Sequence, residues 1–183
     1  MRAFPGVHVE AVDLQEDLEV GAASMDDYSA AVVNAAERLQ RPLALVGWSM
    51  GGLLVLMASE HVEPDRVVLL EPSPPAELQA SHPEVEVPVG TFDGESVYGA
   101  FPAGIPSRPE SARARAERRN GVSVPSVACS TLVVHGREFP IDRGREVARF
   151  YGADLLAFDD LDHWGLVLSH EVRTMISQWL ARS

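Results

Sequence analysis

A serine flanked by glycines is the strongest chemical signal in the sequence. It lies in Gly47-Trp48-Ser49-Met50-Gly51, after a short apolar run and before a segment typical of a helix. A tight strand-to-helix turn of this kind exposes a serine hydroxyl at a sheet edge, and small residues two positions to either side avoid a clash. The N–H of Met50 at the helix start can stabilise an oxyanion. The pattern therefore predicts that Ser49 is a nucleophile.

A serine hydroxyl needs a general base, and His163 is the best placed of the six histidines. It lies in the run LDHWG at 161–165, after a predicted strand and before the last predicted helix. Loops at the carboxyl ends of parallel strands share one sheet edge, so His163 is expected on the same edge as Ser49. His135 ends an apolar strand and is predicted to be a buried structural residue. Asp162 is predicted only to solvate its loop.

The elements that must position these residues alternate between short apolar strands and amphipathic helices. Strands are predicted at 7–14, 43–47, 67–70, 131–135 and 154–158. Helices are predicted at 24–39, 50–60, 109–119, 143–151 and 172–182, with Ser24 as the first N-cap. Short connections between alternating elements indicate an α/β fold with a mostly parallel sheet flanked by helices. The 183 residues fit a single domain spanning 1–183.

One segment interrupts the alternation. Residues 72–109 contain eight of the 13 prolines, and an irregular insertion of this length is typical of a lid. We predict a cap over residues 72–120. Within it, Phe92, Tyr98 and Phe101 are expected to anchor the cap to the core, with an acyl pocket as the alternative. The Arg-rich stretch 109–119 is predicted to be a solvated helix face, with an anion or partner site as the alternative.

Composition excludes several classes of reaction. All 15 basic residues are Arg, and without Lys the chain cannot form a Schiff base or use the phosphate-contacting Lys of P-loop enzymes and kinases. The net charge of −12 argues against nucleic-acid and membrane-surface partners. One cysteine, Cys129, allows neither an internal disulfide nor a zinc site built on several cysteines. No signal peptide or membrane span is evident, and a cytoplasmic location is the simplest expectation.

The chain resembles an α/β-hydrolase. The resemblance runs from VHVEAVDL at 7–14 through VGWSMGGL to TLVVHG and LDHWGLVL, and it covers nearly everything except the proline-rich insertion. The family has the chain order Ser, acid, His. The resemblance implies that Ser49 is the nucleophile, that His163 is the general base, and that the insertion from Pro72 begins a cap.

The acid departs from the family pattern. The family usually places an Asp three residues after the glycine that ends the preceding strand, but here that position is Phe139. Glu71 is the first candidate, because it ends an apolar strand directly after the nucleophile helix, where some family members keep their acid. Glu138 is the alternative, and Asp142 is a third carboxylate within reach.

The beginning of the chain also departs from the pattern. Residues 7–14 correspond to the fourth strand of the family, and no His-Gly loop that would supply a second oxyanion donor precedes Ser49. Two interpretations are open: the chain is shortened at its N-terminus, or the sheet closes up with 7–14 beside 43–47. A sheet that is short of strands leaves an open edge, which would favour a homodimer.

The leading functional prediction is an esterase-like serine hydrolase acting on a small-molecule acyl substrate, without a cofactor or a metal. Trp48 and Trp164 flank the nucleophile and the base in sequence and are predicted to bind substrate. The alternative is a catalytically impaired or non-enzymatic hydrolase-fold protein with a binding role. A third candidate, an acyl-transfer or cofactor-free haloperoxidase-like activity, would use the same residues.

Overall fold

A four-stranded parallel sheet organises the computed structural model, which describes residues 7–79, 88–137 and 143–182. The strands are β1 (Ala44–Trp48), β2 (Arg66–Leu70), β3 (Thr91–Asp93), β4 (Pro109–Ser111), β5 (Ser130–His135) and β6 (Asp154–Ala157). The helices are α1 (Met25–Glu37), α2 (Met50–Val62), α3 (Gly94–Tyr98), α4 (Ala112–Asn120), α5 (Arg143–Tyr151), α6 (His163–Leu168) and α7 (His170–Leu180). The main sheet has the order β1-β2-β5-β6 with every pairing parallel. The predicted mostly parallel α/β architecture is confirmed.

The first helix begins where the sequence predicts. Ser24 is the N-cap of α1, and its side chain accepts a hydrogen bond from the Asp27 N–H at 3.1 Å. The Asp27 carboxylate accepts in return from the Ser24 N–H at 2.8 Å, which completes a capping box. The buried face of α1, which includes Met25 and Tyr28, packs into the core beside α2.

The core lies in two layers, one on each face of the sheet. On one face, α1, α2 and α5 cover alternate residues of the strands, including Val67, Leu69 and Val133. On the other face, α6 and α7 cover Val68 and Leu132. Strands that are covered on both faces have nearly continuous apolar sequences, and β2 and β5 show this pattern. The long apolar helix α2 has 13 residues, and no described helix has both the length and the hydropathy to cross a membrane.

The strand predicted at 7–14 is wrong. These residues form no strand, and Val7 and Val9 are 57% and 58% exposed. Alternating apolar residues become a strand only when a neighbour supplies hydrogen bonds and a face to cover, and β1 pairs with β2 alone in the described sheet. The interpretation in which 7–14 closes up beside β1 is therefore also wrong.

The position of β1 at the sheet edge leaves part of it exposed. Its burial alternates, with Leu45 buried and Ala44 and Val46 exposed. Leu45 faces the α1 and α2 layer, whereas α6 and α7 do not extend far enough to cover Val46, which is 47% exposed. One face of β1 is therefore open to solvent along with its outer edge.

The described part of the segment predicted as a cap contains regular secondary structure. β3 and β4 pair antiparallel, with Phe92 opposite Glu110. The helix predicted at 109–119 begins only at Ala112, because the preceding three residues belong to β4 and Ser111 is the N-cap. The Ser111 hydroxyl also donates to the Ala23 carbonyl, which ties this segment to the start of α1. Assignment of 72–120 as a cap stays a prediction.

Candidate active site

Ser49 lies in the turn that joins β1 to α2. Its torsion angles are φ 55° and ψ −121°, a region that residues other than glycine rarely adopt and that is found mainly at functional sites. The end of β2 holds this turn in place. The Ser49 N–H donates to the Leu70 carbonyl at 3.0 Å, and the Ser49 carbonyl accepts from the Ser73 N–H at 2.8 Å. The Ser49 side chain makes no cap hydrogen bond to α2, so helix capping does not occupy the hydroxyl.

The glycines around Ser49 permit close backbone approach, although not at both predicted positions. A Cβ on Gly47 would lie 2.2 Å from the Gly51 carbonyl oxygen, so glycine is required before the serine. A Cβ on Gly51 would meet nothing within 4 Å, and the predicted clash at this position is wrong. The constraint on the far side falls on Gly52, where a Cβ would lie 2.6 Å from the Pro72 Cβ. At Gly51 the helix α2 has open space beside it, and at Gly52 it approaches Pro72, which follows the end of β2.

The predicted oxyanion donor, Met50, is the first residue of α2. The first N–H groups of a helix have no partner within the helix, and the helix dipole places partial positive charge there. A negative charge that develops on an oxygen next to Ser49 would be stabilised by this end of α2.

Glu71 and His163 meet at the same sheet edge. The His163 Nδ1 lies 2.7 Å from the Glu71 Oε2, and the Glu71 Oε1 accepts from the Gly136 N–H at 2.8 Å. Glu71 is only 7% exposed and has a φ of 38°, so both its carboxylate and its strained backbone are fixed within the fold. Of the carboxylates that the sequence offered, Glu71 is placed beside His163. Glu138 and Asp142 lie outside the described residues.

The two tryptophans predicted to bind substrate pack around His163. The Trp48 ring lies 4.5 Å from the His163 ring and 4.7 Å from the Trp164 ring, measured between centroids. The Trp48 Nε1 also donates to the His163 carbonyl at 3.1 Å. Because Trp48 directly precedes Ser49 in the chain, these contacts bring His163 to the Ser49 turn. The Phe101 ring lies 5.0 Å from the Trp164 ring, and both roles considered for Phe101, anchor and acyl pocket, stay predictions.

Asp162 has a structural role that the sequence analysis missed. His163 begins the short helix α6 instead of lying in a loop, and Asp162 is the N-cap of that helix. The Asp162 Oδ1 accepts from the Gly165 N–H at 2.6 Å. A carboxylate at an N-cap stabilises the first turn of a helix, so Asp162 fixes the backbone from which His163 extends. The sequence did contain a signal for this cap, because Asp is a preferred N-cap residue and Asp162 directly precedes the mostly apolar segment 163–168.

His135 is buried, as predicted, but its surroundings connect it to the site. It is 5% exposed, and its Nδ1 lies 3.8 Å from the Glu71 Oε1. This nitrogen is buried without a hydrogen-bond partner. The register of the two strands explains the proximity, because Leu70 pairs with Val134 and the next residue of each strand is therefore adjacent. The sequence could have indicated this neighbour only once β2 and β5 were known to pair.

A cavity of about 440 Å³ adjoins the site on the side of β4 and α4. Met50 lines it together with Tyr28, Glu110 and three arginines, Arg108, Arg115 and Arg118. The Arg118 side chain also donates to the Ser73 hydroxyl at 3.2 Å. Two of the arginines predicted to lie on a solvated helix face, Arg115 and Arg118, thus line a cavity instead.

A comparison with known protein families identifies the family of the chain. The sequence model of the alpha/beta hydrolase family matches residues 2–176, and the chain belongs to this family. A search of curated proteins finds no significant match.

Solved structures resemble the chain in fold at low sequence identity. A hydrolase candidate from Agrobacterium vitis S4 has a TM-score of 0.62 at 14% identity, covering 86% of this chain and 67% of its own. Mouse alpha/beta hydrolase domain-containing protein 10 has a TM-score of 0.58 at 17% identity, covering 90% and 70%. A methylesterase from Arabidopsis has a TM-score of 0.55 at 17% identity, covering 90% and 79%.

Proposed function

We propose that the protein is a serine hydrolase that cleaves a carboxylic ester or a related acyl bond through an acyl-enzyme. The observation that carries the proposal is the 2.7 Å contact between the His163 Nδ1 and the Glu71 Oε2. A carboxylate on Nδ1 fixes the tautomer whose Nε2 can accept a proton. The Trp48 Nε1 donates to the His163 carbonyl, which brings His163 close to the Ser49 turn, and the proposal assigns the Ser49 hydroxyl proton to the His163 Nε2.

The reaction has two stages. In the first, the Ser49 Oγ attacks the acyl carbon while His163 takes the hydroxyl proton, and the Met50 N–H stabilises the oxyanion. The tetrahedral intermediate collapses, the bond to the leaving oxygen breaks, and His163 protonates the departing alcohol. In the second, water attacks the acyl-enzyme, His163 takes a proton from the water, and the carboxylic acid is released as Ser49 recovers its proton.

Glu71 is suited to stabilise the imidazolium that forms during each stage. Its carboxylate is almost completely excluded from solvent and is held by the Gly136 N–H on its other oxygen. An ionised partner at hydrogen-bond distance in such a site stabilises a developing positive charge more strongly than it would in water. Burial and orientation of Glu71 therefore contribute to the proposed catalysis.

A non-catalytic role is the second candidate, and the open edge of β1 favours it. The described sheet leaves β1 paired on one side only, and an unpaired edge can bind another chain. In this case the Ser49 turn would survive as a structural feature without turnover. An acyl-transfer or haloperoxidase-like activity would share the proposed site and differ only in the co-substrate.

Labelling with a serine-directed fluorophosphonate separates the two candidates. We expect the folded protein to gain one adduct by mass spectrometry, on the peptide that contains Ser49. We also expect turnover of p-nitrophenyl esters. Both signals should disappear in Ser49→Ala and persist in Ser126→Ala, a matched change at an exposed serine. Folded protein that takes up no label and releases no p-nitrophenol would favour the binding role.

A further inference from the structure

The cavity beside the Ser49 turn contains more positive charge than its carboxylates neutralise. Its walls include three arginines and two carboxylates, Asp13 and Glu110. The whole chain carries a net charge of −12, so this local excess is opposite in sign to the protein. Arg108 is paired with Asp13 at 3.1 Å. The excess charge therefore belongs to the two arginines that α4 contributes.

Arg115 and Arg118 lie within 4.0 Å of no carboxylate among the described residues. The Arg118 guanidinium donates to two neutral oxygens, the Ser73 hydroxyl at 3.2 Å and the Tyr98 hydroxyl at 3.0 Å. The Arg115 guanidinium lies 5.4 Å from the centroid of the Phe92 ring, and its buried Nε has no hydrogen-bond partner. Both side chains are held in place by neutral neighbours, which keeps their charges available for a ligand.

Glu110 lines the same cavity and can compete with a ligand for these arginines. Burial raises the pKa of Glu110, although the nearby Arg118 and Arg115 lower it in part. With both carboxylates ionised, the walls retain one positive charge in excess. A single excess charge suits a monoanion such as a carboxylate better than a dianion, and guanidinium groups bind carboxylates through paired hydrogen bonds.

The cavity lies beside the turn that holds the proposed nucleophile. Met50, which follows Ser49, lines the cavity wall. Arg118 bonds to the Ser73 side chain, and the Ser73 N–H donates to the Ser49 carbonyl at 2.8 Å. The inference places the acyl carbon of a small molecule at Ser49 and a second group of the same molecule past Met50, near the two guanidinium groups.

We propose that Arg115 and Arg118 form a carboxylate subsite, so that the substrate is an ester that carries a free carboxylate, such as the monoester of a dicarboxylic acid. The inference rests on the proposed function and specifies its substrate class. The cavity of about 440 Å³ has room for the carboxylate-bearing chain of a small molecule.

A pair of matched esters tests the subsite. We compare kcat/KM for p-nitrophenyl hydrogen adipate with that for p-nitrophenyl hexanoate, which has the same chain length and no carboxylate. The wild type should prefer the adipate ester. Arg115→Gln and Arg118→Gln should each lower this preference about 10-fold or more, because each removes a charge-assisted hydrogen bond. Glu110→Gln should raise the preference by removing the competing carboxylate.

Arg119→Gln is the matched control, because Arg119 is exposed on the same helix and does not line the cavity. It should leave the preference unchanged. Equal use of the two esters by the wild type would overturn the subsite, as would an equal loss of preference in Arg119→Gln. Circular dichroism of each variant establishes that the fold is retained, and Glu110→Gln moves the ratio in a direction that unfolding cannot produce.

Calorimetry separates this inference from the proposed function. Monomethyl adipate is titrated into Ser49→Ala and into the double variant Ser49→Ala/Arg118→Gln. If monomethyl adipate binds Ser49→Ala and binds the double variant about 10-fold more weakly, the subsite is supported. This holds even if neither ester is turned over, and in that case only the hydrolase proposal fails. No binding to Ser49→Ala, or equal binding to both variants, overturns the subsite whatever the turnover results.

Discussion

β1 and β2 are neighbouring strands that both end in the candidate site, yet only β2 is covered on both faces. Val46 of β1 and Val68 of β2 are register partners. Val46 is 47% exposed, whereas Val68 is completely buried. Each strand ends in a non-glycine residue with positive φ, Ser49 after β1 and Glu71 after β2. The same site is therefore built on one fully packed strand and one half-covered strand.

This difference indicates where the geometry of the site is secured. The Ser49 turn is held by hydrogen bonds to Leu70 and Ser73 at the end of β2, and by the contact of Gly52 with Pro72. The open face of β1 contributes none of these contacts. The packed strand thus positions both the proposed acid and the proposed nucleophile, and variants can test this dependence.

The largest effect is expected from the acid at the end of β2. In Glu71→Gln the amide can no longer stabilise the imidazolium, and its NH₂ favours the wrong tautomer of His163. The corresponding change in a serine protease triad lowers kcat about 10⁴-fold, and we expect a loss of about 10³–10⁴-fold in ester hydrolysis.

Two controls accompany this measurement. Glu60→Gln, at an exposed position of α2, should leave kcat unchanged. Glu138→Gln should also have little effect. If kcat falls more in Glu138→Gln than in Glu71→Gln, Glu138 is the acid. The acid would then not depend on the end of β2.

The second prediction compares the register partners themselves. Val68→Ala should lower the free energy of unfolding by about 2 kcal/mol, because it removes buried methyl groups and leaves a cavity. Val46→Ala should cost roughly 0.5 kcal/mol, since its side chain is already half exposed. Both variants make the same change at paired positions, so the difference between the two costs reports how well each side chain is packed and buried. Urea denaturation measures both values, and equal costs would mean that the open face of β1 is covered in solution.

The smallest effect is expected at the contact between the two strand ends. Gly52→Ala places a Cβ 2.6 Å from the Pro72 Cβ and 2.9 Å from its Cα, and the resulting overpacking should destabilise the fold by about 1–2 kcal/mol. Gly51→Ala meets no neighbour within 4 Å and should stabilise by up to about 1 kcal/mol through helix propensity. Thermal melts of the two variants should shift in opposite directions. A shared direction would show that the Gly52 contact does not secure the turn.

Local signals account for the parts of the fold that were predicted correctly. The bounds of α1, α2 and α5 and the four parallel strands follow from capping residues and apolar runs, which act within a few residues. The strand prediction for residues 7–14 was wrong because alternating apolar residues form a strand only beside a neighbouring strand. The clash assigned to Gly51 belongs to Gly52, because the neighbour that causes it, Pro72, is distant in the sequence.

The choice of acid shows the same limit. The sequence offered Glu71, Glu138 and Asp142, and spacing alone could not rank them by distance to His163. The pairing of β2 with β5 decided the position of Glu71, and the same pairing placed His135 next to it. Likewise, the arginines of α4 have the spacing of a solvated helix face. Only the tertiary structure places two of them around a cavity that residues of β4 and residues 11–15 also line.

The sequence by itself determined which chemistry is available. Without Lys and with one Cys, the chain is left with Ser, His and carboxylates, and the run from Gly47 to Gly51 places the serine between a strand and a helix. The tertiary structure alone decided which carboxylate meets the histidine, which glycine contacts the next strand, and which arginines line a cavity. Residue type and local spacing are encoded along the chain, whereas these three contacts join residues that only strand pairing and helix packing bring together.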